Sequence, residues 1–399
     1  MTGDGVTVVI PTLGRPSLTA LLAALAAGRP CPLPMELLLV DDRPDRRTPL
    51  PVPPGAEPRV LPGRAGGPAA ARNIGWRAAR YEWVAFLDDD VLPDPDWALR
   101  LAADIASAPA SVGGIQGNLR VPLPGHRRPT DWERVTAGLA DGAWITADMA
   151  YRRAALAACG GFDERLPRAF REDAELAYRV RRAGWSLRRG RRRVTHPVRP
   201  ENFWISVRTQ RGNADDVLLR RLYGPYWRSV LEIPPGRRPR HVAITAAGLA
   251  ALAAGVAAMT AGRRGAPAGG PRAVAAGGRR AALAGERRGW TAVAAVAGVA
   301  WAAGTAEFAA ARIAPGPRTS REVATMLVTS VVIPPAAVAH WLRGWWRWRD
   351  VRPPADAGVG TSGAVSGVTP HAAGAGAGVG SSGAVAGVTP HAAGAEAFL

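Results

Sequence analysis

The feature that most constrains this chain is a run of three aspartates, Asp88, Asp89 and Asp90, at the end of the apolar segment formed by residues 83–87. Three adjacent carboxylates repel one another, which is costly without a cationic partner. A divalent cation that also binds a diphosphate would relieve this repulsion, and Mg²⁺ and Mn²⁺ prefer oxygen ligands. Because alternate strand residues share a face, Asp88 and Asp90 could face one site while Asp89 faces elsewhere or reaches a ribose. A solvated acidic turn would produce the same triplet.

The surrounding pattern is typical of an α/β protein with a largely parallel sheet, because short apolar runs alternate with helical patterns. Residues 6–11 and 36–42 form two further strand patterns, and the second ends in Asp41 and Asp42. In open α/β sheets, ligands bind outside the carboxyl ends of the strands. Two strands therefore deliver aspartates to one edge, and we expect the functional site there.

The charge of the chain points to anionic partners. Its formal net charge is +19, and all 51 basic residues are arginine. Phosphates or lipid headgroups are sufficient to account for this excess, and we do not expect nucleic acid as a partner. The two cysteines, Cys31 and Cys159, provide neither a disulfide framework nor metal-ligand spacing. Together with an N-terminus that lacks a signal-peptide pattern, they predict a catalytic part in the cytoplasm.

The C-terminal half contains three uncharged apolar runs, residues 242–262, 289–306 and 323–342. Each approaches the roughly 20 residues that a membrane span requires. Alanine and glycine dominate the first two, so soluble or interfacial helices remain an alternative. The interleaved Trp and Arg residues of 340–350 suit a lipid headgroup interface, although a soluble tryptophan cluster would show the same pattern.

These patterns predict three regions. Residues 1–240 form the catalytic domain, and residues 241–352 form a helical, membrane-associated region. Residues 353–399 contain a Gly/Ala-rich segment that occurs twice, with few large apolar side chains, and are predicted to be disordered.

Five motifs in series resemble the family 2 glycosyltransferases of the GT-A fold. In chain order they read VTVVIPTLGR, ELLLVDDRPD, GRAGGPAAARNIGWRAARYEWVAFLDDDVLPDPDW, GGFDERL and REDAELAYRVRRAGW. They correspond to the family's opening strand, its uridine-contacting Asp-Asp, its Ala-Arg-Asn helix, its DxD motif and its late Glu-Asp. The resemblance implies a GT-A domain with a mainly parallel central sheet, which uses Mg²⁺ or Mn²⁺.

The resemblance also implies roles for the donor-binding residues. Pro11 and Thr12 would line the nucleotide pocket, Asp42 would accept a hydrogen bond from the ring N–H of the base, and Arg72 would contact the nucleotide. The family usually continues its Asp-Asp with Gly-Ser, whereas this chain has Arg-Pro, so the shape of that loop differs. Asp88 and Asp89 would serve the ribose and the metal side.

The metal and catalytic roles follow in the same way. Asp90 would be the direct metal ligand, with Asp88 beside it and His196 as a further ligand. Sugar transfer by direct displacement needs a carboxylate that takes the proton of the acceptor hydroxyl. The resemblance assigns this role to Asp173, with Glu172 holding the acceptor or its neighbours. Acidic residues also favour the first turn of a helix, so capping is the alternative for both.

The predicted activity is inverting sugar transfer from a UDP- or GDP-linked donor. The acceptor would be a cell-envelope glycan or a lipid-linked saccharide at the cytoplasmic face of the cell membrane. A polyprenyl-phosphate glycosyltransferase is the main alternative enzyme. A non-catalytic, membrane-anchored scaffold with a degenerate transferase domain is the alternative from another class.

Overall fold

A computed structural model describes residues 4–264 and 276–353. The strands are β1 (Val6–Thr12), β2 (Met35–Asp41), β3 (Arg59–Pro62), β4 (Trp83–Leu87), β5 (Leu92–Pro93), β6 (Val112–Arg120), β7 (Asp148–Arg152) and β8 (Ser186–Thr195). The helices of the sheet-containing part are α1 (Pro16–Ala27), α2 (Pro68–Ala78), α3 (Trp97–Ala106), α4 (Asp131–Ala137), α5 (Arg153–Ala158), α6 (Glu172–Arg182), α7 (Ile205–Arg208), α8 (Asn213–Tyr223) and α9 (Trp227–Val230). Three long helices follow: α10 (Arg238–Arg264), α11 (Ala276–Ile313) and α12 (Ser320–Arg347).

The eight strands form one sheet in the order β3-β2-β1-β4-β7-β6-β8-β5. The first four strands in this order are mutually parallel. β7 then runs antiparallel to both β4 and β6, whereas β6 and β8 are parallel. The predicted α/β class with a mainly parallel sheet is confirmed. The antiparallel strand β7 lies between β4 and β6.

Helices cover both faces of the parallel half, which explains its continuous apolar strands. Alternate residues of β4 enter two different clusters: Ala85 packs with α1 and α3, whereas Phe86 packs with α2 and α6. Because the sheet is buried on both sides, its functional groups can only gather at the strand ends.

The last part of α12 belongs to the core of the sheet-containing part. Trp348, just after this helix, packs with Leu218 and Leu222 of α8 and with Trp227 of α9. Its indole N–H also donates to the carbonyl of Ala214, at 3.2 Å. The predicted boundary at residue 240 therefore does not separate α12 from the catalytic part.

Helices α10, α11 and α12 contain the predicted runs 242–262, 289–306 and 323–342, and all three are long and apolar enough to cross a membrane. Helix α12 stays continuous through Pro334 and Pro335. The predicted disordered tail lies outside the described residues, apart from residue 353.

Candidate active site

The aspartate triplet follows β4 at the carboxyl edge of the sheet, beside the end of β1. Its central member, Asp89, is buried and turns towards β1. It accepts hydrogen bonds from the Thr12 hydroxyl at 2.7 Å and from the Leu13 backbone N–H at 3.3 Å, and it pairs with Arg15 at 3.1 Å. Asp89 therefore anchors the end of β1, where Pro11 and Thr12 were predicted to line the nucleotide pocket.

Arg72 joins the two predicted acidic motifs. One guanidinium nitrogen lies 2.7 Å from Asp88, and another lies 2.8 Å from Glu172. The Arg72 side chain is only 1% exposed. Burial acts to lower its pKa, but the two carboxylates prevail and raise it above the ordinary range. The predicted nucleotide-contacting arginine is thus a buried cationic link between β4 and the start of α6.

Glu172 and Asp173 begin α6 directly after Arg171, which has a left-handed φ of 73°. Burial, followed by the charge of Asp173, raises the pKa of Glu172 to about 7 although Arg72 opposes this shift. One Glu172 carboxylate oxygen has no hydrogen-bond partner within the described part of the chain. Such a carboxylate is poorly compensated for its burial, a condition frequent at functional sites.

Asp173 is partly exposed, unlike Glu172, and one of its oxygens accepts the backbone N–H of Ala174 at 2.8 Å. Burial also raises the pKa of Asp173, opposed by that backbone hydrogen bond and by the charges of Arg72 and Arg171. A raised pKa makes a carboxylate a stronger base. Asp173 therefore combines access to solvent with increased basicity.

Asp90 lies opposite His196 and Arg199. His196 Nε2 is 3.6 Å from one of its oxygens, and Arg199 Nε is 3.3 Å from the other. Burial and the charge of Asp88 raise the pKa of Asp90, while His196 and Arg199 oppose this. The ionised carboxylate is thus incompletely compensated by its neighbours.

The residues around Asp90 fit a divalent cation that is completed by phosphate oxygens. No cluster of three His, Cys, Asp or Glu side chains suitable for a metal occurs among residues 4–264 and 276–353. Carboxylate and imidazole are nevertheless suitable ligands for Mn²⁺ and Mg²⁺, and such ions often take only one or two carboxylates plus substrate phosphates.

The carboxylate of Asp42 is hydrogen-bonded to a neighbouring loop. It accepts backbone N–H groups from Arg64, Gly66 and Gly67, at 3.1, 3.3 and 2.8 Å. Gly67 has a φ of 87°, and a Cβ there would lie 2.1 Å from the Pro167 carbonyl oxygen. Asp42, at the end of β2, thus shapes the tight loop between β3 and α2. Its predicted contact with the base would use the remaining acceptor capacity of its carboxylate.

The structure therefore brings the predicted residues together in three groups: Thr12 with Asp89, Asp88 with Arg72 and the Glu172–Asp173 pair, and Asp90 with His196. Sequence reasoning missed Arg15 and Arg199, which contact Asp89 and Asp90. With 51 arginines in the chain, neither has a distinctive signal beyond its position near a motif.

Residues 7–146 match the family model described as "Glycosyl transferase family 2". Among curated proteins, the "Pre-mycofactocin glycosyltransferase" of Mycobacterium tuberculosis is 33% identical over 137 residues, and the match covers 31% of this chain. The chain spans just over a quarter, 28%, of the length of that relative.

Solved structures with a similar arrangement include two transferases. The mannosyltransferase PcManGT from Pyrobaculum calidifontis, in complex with GDP-Man and Mn²⁺, is 18% identical, with a TM-score of 0.45 over 86% of this chain and 88% of its own. The glucosyl-3-phosphoglycerate synthase from Mycobacterium tuberculosis, with Mn²⁺ and UDP-glucose, is 16% identical, with a TM-score of 0.40 over 58% of this chain and 81% of its own.

Proposed function

We propose that this chain, whose residues 7–146 match the model of glycosyl transferase family 2, transfers a sugar from a nucleotide-diphosphate sugar to an acceptor hydroxyl, with inversion at the anomeric carbon. The predicted family is confirmed, and so is the fold class. The observation that carries the proposed reaction is the Arg72 link, which holds Asp88 and Glu172 on one guanidinium. It places the acidic end of β4 beside the helix that carries Asp173.

Asp173 is the proposed base. Its carboxylate takes the proton of the acceptor hydroxyl while the hydroxyl oxygen forms a bond to the anomeric carbon. The bond from that carbon to the diphosphate breaks on the opposite face, and the nucleoside diphosphate leaves with the bonding electrons. Glu172, held by Arg72, positions the first turn of α6, which carries Asp173.

The donor side is built from the ends of β1 and β4. Thr12 and Asp89 form a fixed corner for the nucleoside, because their 2.7 Å hydrogen bond is buried. Asp90, with His196 and Asp88 nearby, would hold Mg²⁺ or Mn²⁺. When bound, this ion would supply positive charge to the diphosphate leaving group. Arg199 already lies at this position and can contribute to the same charge balance.

Helices α10 and α11 support attachment to a membrane. Arg240 of α10 pairs with Glu307 of α11 at 2.7 Å, and at the opposite end Gly262 approaches the Arg287 side chain. The uncharged runs between these two ends, 242–262 and 289–306, are about 32 and 27 Å long at 1.5 Å per residue. This length matches a hydrocarbon core of about 30 Å.

Close packing also suits a helical pair in lipid. A Cβ added at Gly248 would lie 2.9 Å from Trp301, and a Cβ added at Gly304 would lie 2.9 Å from Ile244. The two glycines therefore allow the helices to approach each other closely. The start of α10 and the end of α11 both lie at the catalytic domain, which we place on the cytoplasmic face. A donor site beside a membrane anchor favours a lipid-linked saccharide or cell-envelope glycan as the acceptor.

The test is calorimetric titration of the full chain in detergent with UDP and GDP, each with and without Mn²⁺. We expect one nucleotide to bind in a Mn²⁺-dependent manner. Asp90→Ala should remove the metal dependence, whereas Asp45→Ala, at an exposed aspartate paired with Arg47, should not. If folded protein binds neither nucleotide under either condition, the transferase proposal is wrong and the degenerate scaffold takes its place.

The acceptor class is tested separately. Vesicles that contain either a polyprenyl phosphate or a lipid-linked saccharide are supplied with the donor sugar that binds. We expect labelled sugar on the lipid-linked saccharide. Exclusive labelling of the polyprenyl phosphate would establish the alternative enzyme.

A further inference from the structure

The outward face of α12 is a continuous apolar stripe. Its members are exposed and recur every three or four residues, so they align along one side of the helix. We call the following set the outer stripe: Val328, Val331, Pro335, Ala339, Leu342 and Trp346. Trp346 is 71% exposed and Leu342 is 56% exposed. An exposed apolar band of this length indicates an interaction surface.

The opposite face of α12 is fixed to the catalytic domain. Thr329 and Ser330 are buried and accept hydrogen bonds from Arg312, at 2.8 and 3.1 Å. Arg312 in turn pairs with Asp131 of α4 at 2.7 Å. Polar contacts at Thr329 and Ser330 therefore hold the otherwise largely apolar inner face of the helix to the domain.

Both ends of α12 contact the same domain. At its start, Glu322 accepts the backbone N–H of Asp131 in α4, at 2.7 Å. At its end, Gly344 lies so close to α8 that an added Cβ would be 2.6 Å from the Ala214 carbonyl oxygen. A helix crossing the bilayer beside α10 and α11 would carry one end to their far side.

The middle of α12 contacts the base of the α10–α11 pair. Ile333, the fourteenth residue of α12, packs with Ile244 near the start of α10 and with Phe308 near the end of α11. These are the domain-side ends of both helices, where Arg240 and Glu307 also meet. Helix α12 thus crosses the base of the pair and does not run along it.

We propose that α12 lies in the plane of the membrane, with the outer stripe inserted among the acyl chains and the catalytic domain above it. This inference deepens the membrane association proposed above. The outer stripe occurs at the level where the lipid-facing pair emerges from the domain, so one bilayer surface can cover both. The exposed Arg343, Arg347 and Arg349 next to Trp346 suit anionic headgroups. The surface that covers the outer stripe is therefore an anionic bilayer.

The assignment fixes how the enzyme sits on its substrate-bearing surface. A helix buried about 5–10 Å into the interface holds the attached domain at a constant height and orientation. Four links, at Glu322, Arg312, Gly344 and Trp348, transmit that orientation to α4 and α8. An acceptor headgroup in the same membrane would then meet the catalytic edge at a fixed angle.

Depth-dependent fluorescence quenching tests this placement. A full chain with Cys31→Ser and Cys159→Ser receives one cysteine at Val328, Ala339 or Leu342, and a fluorophore is attached. A label at Val296, an exposed residue in the apolar run of α11, is the deep reference. The proteins are placed in vesicles of phosphatidylcholine and phosphatidylglycerol that carry quenchers at different acyl positions.

All three α12 labels should be quenched at the same shallow depth, with Val296 deeper. A label at Leu342 that lies much shallower than that at Val328, by roughly 7 Å, would show that α12 spans the membrane. Absence of quenching at all three positions, with Val296 quenched, would show that protein covers the outer stripe. Either result overturns the proposal. The readout needs neither donor nor acceptor, so it is independent of the transferase proposal.

Discussion

The most informative perturbation is Glu172→Gln, because it removes a buried charge and keeps the size of the side chain. In the native state the pKa of Glu172 is raised to about 7, from an ordinary value of 4.5. The folded protein therefore keeps a proton that the unfolded chain has lost, and the wild-type stability falls as the pH rises through this window. Glutamine cannot ionise and does not suffer this loss.

The magnitude follows from the same shift. Each pKa unit corresponds to about 1.4 kcal/mol, so the free energy of unfolding of Glu172→Gln should gain about 2–3 kcal/mol relative to wild type between pH 5 and pH 8. For a domain of this size, the melting-temperature difference between variant and wild type should change by roughly 5–10 °C over that pH range.

The assay is thermal unfolding of the full chain in detergent with a chelator, at pH 5 and pH 8. Glu133→Gln is the control, because hydrogen bonding from Arg127 lowers the pKa of Glu133 to about 2. The ionised Glu133 carboxylate stabilises the fold at any pH above the pKa of Glu133 in the unfolded chain. Glu133→Gln should therefore lose nearly the same stability at pH 5 and at pH 8. An equal effect of Glu172→Gln at pH 5 and pH 8 would refute the reasoning, since Arg72 would then outweigh burial.

Two further predictions concern the loops and the helical region. Gly67→Ala should destabilise the protein by about 3 kcal/mol, because it combines a left-handed φ with a 2.1 Å clash against a carbonyl oxygen. Gly55 has a φ of 81° but lies in open space, so Gly55→Ala should cost about 1 kcal/mol. Denaturant unfolding compares the two, and equal losses would contradict the predicted close approach. Arg312→Leu should cost about 1–3 kcal/mol, because the buried Asp131 then keeps only Arg134, at 3.2 Å, as a cationic partner. A double-mutant cycle with Asp131→Leu should show coupling between the two residues. Additive effects would contradict the pairing.

Much of the catalytic part follows from local pattern. The apolar runs of β1, β2 and β4 and the acids after them are short-range signals, and a parallel sheet brings their ends to one edge. The sequence therefore places the aspartate triplet at this edge. The motif series adds the Glu172–Asp173 pair, which lies more than 80 residues further along the chain.

The partners of these acids are decided by tertiary contacts and carry no local signal. Arg72 bonds to Glu172 across 100 residues of chain, and any of many arginines has the chemistry to do so. Likewise, Asp42 is engaged by a loop whose tight turn depends on Gly67. Charge alone predicts that such acids need partners, and only the fold selects which ones.

The sequence pattern also does not predict that α12 lies in the plane of the membrane. Its length and hydropathy equal those of a membrane span, and its polar Thr329 and Ser330 are too few to oppose that interpretation. Their role becomes visible only through Arg312, which comes from another helix. A two-sided helix of this kind resembles a span because both its buried and its lipid-facing positions are largely apolar.

The central claim, nucleotide-sugar-dependent transfer with Asp173 as base, is tested most directly by measuring sugar transfer in lipid vesicles. The wild-type chain and Asp173→Asn receive the donor that binds, together with a lipid-linked saccharide. We predict that Asp173→Asn lowers kcat by about 10²–10⁴-fold, with donor affinity unchanged and product of inverted configuration from the wild type. Transfer by Asp173→Asn at the wild-type rate, or a product of retained configuration, would contradict the account.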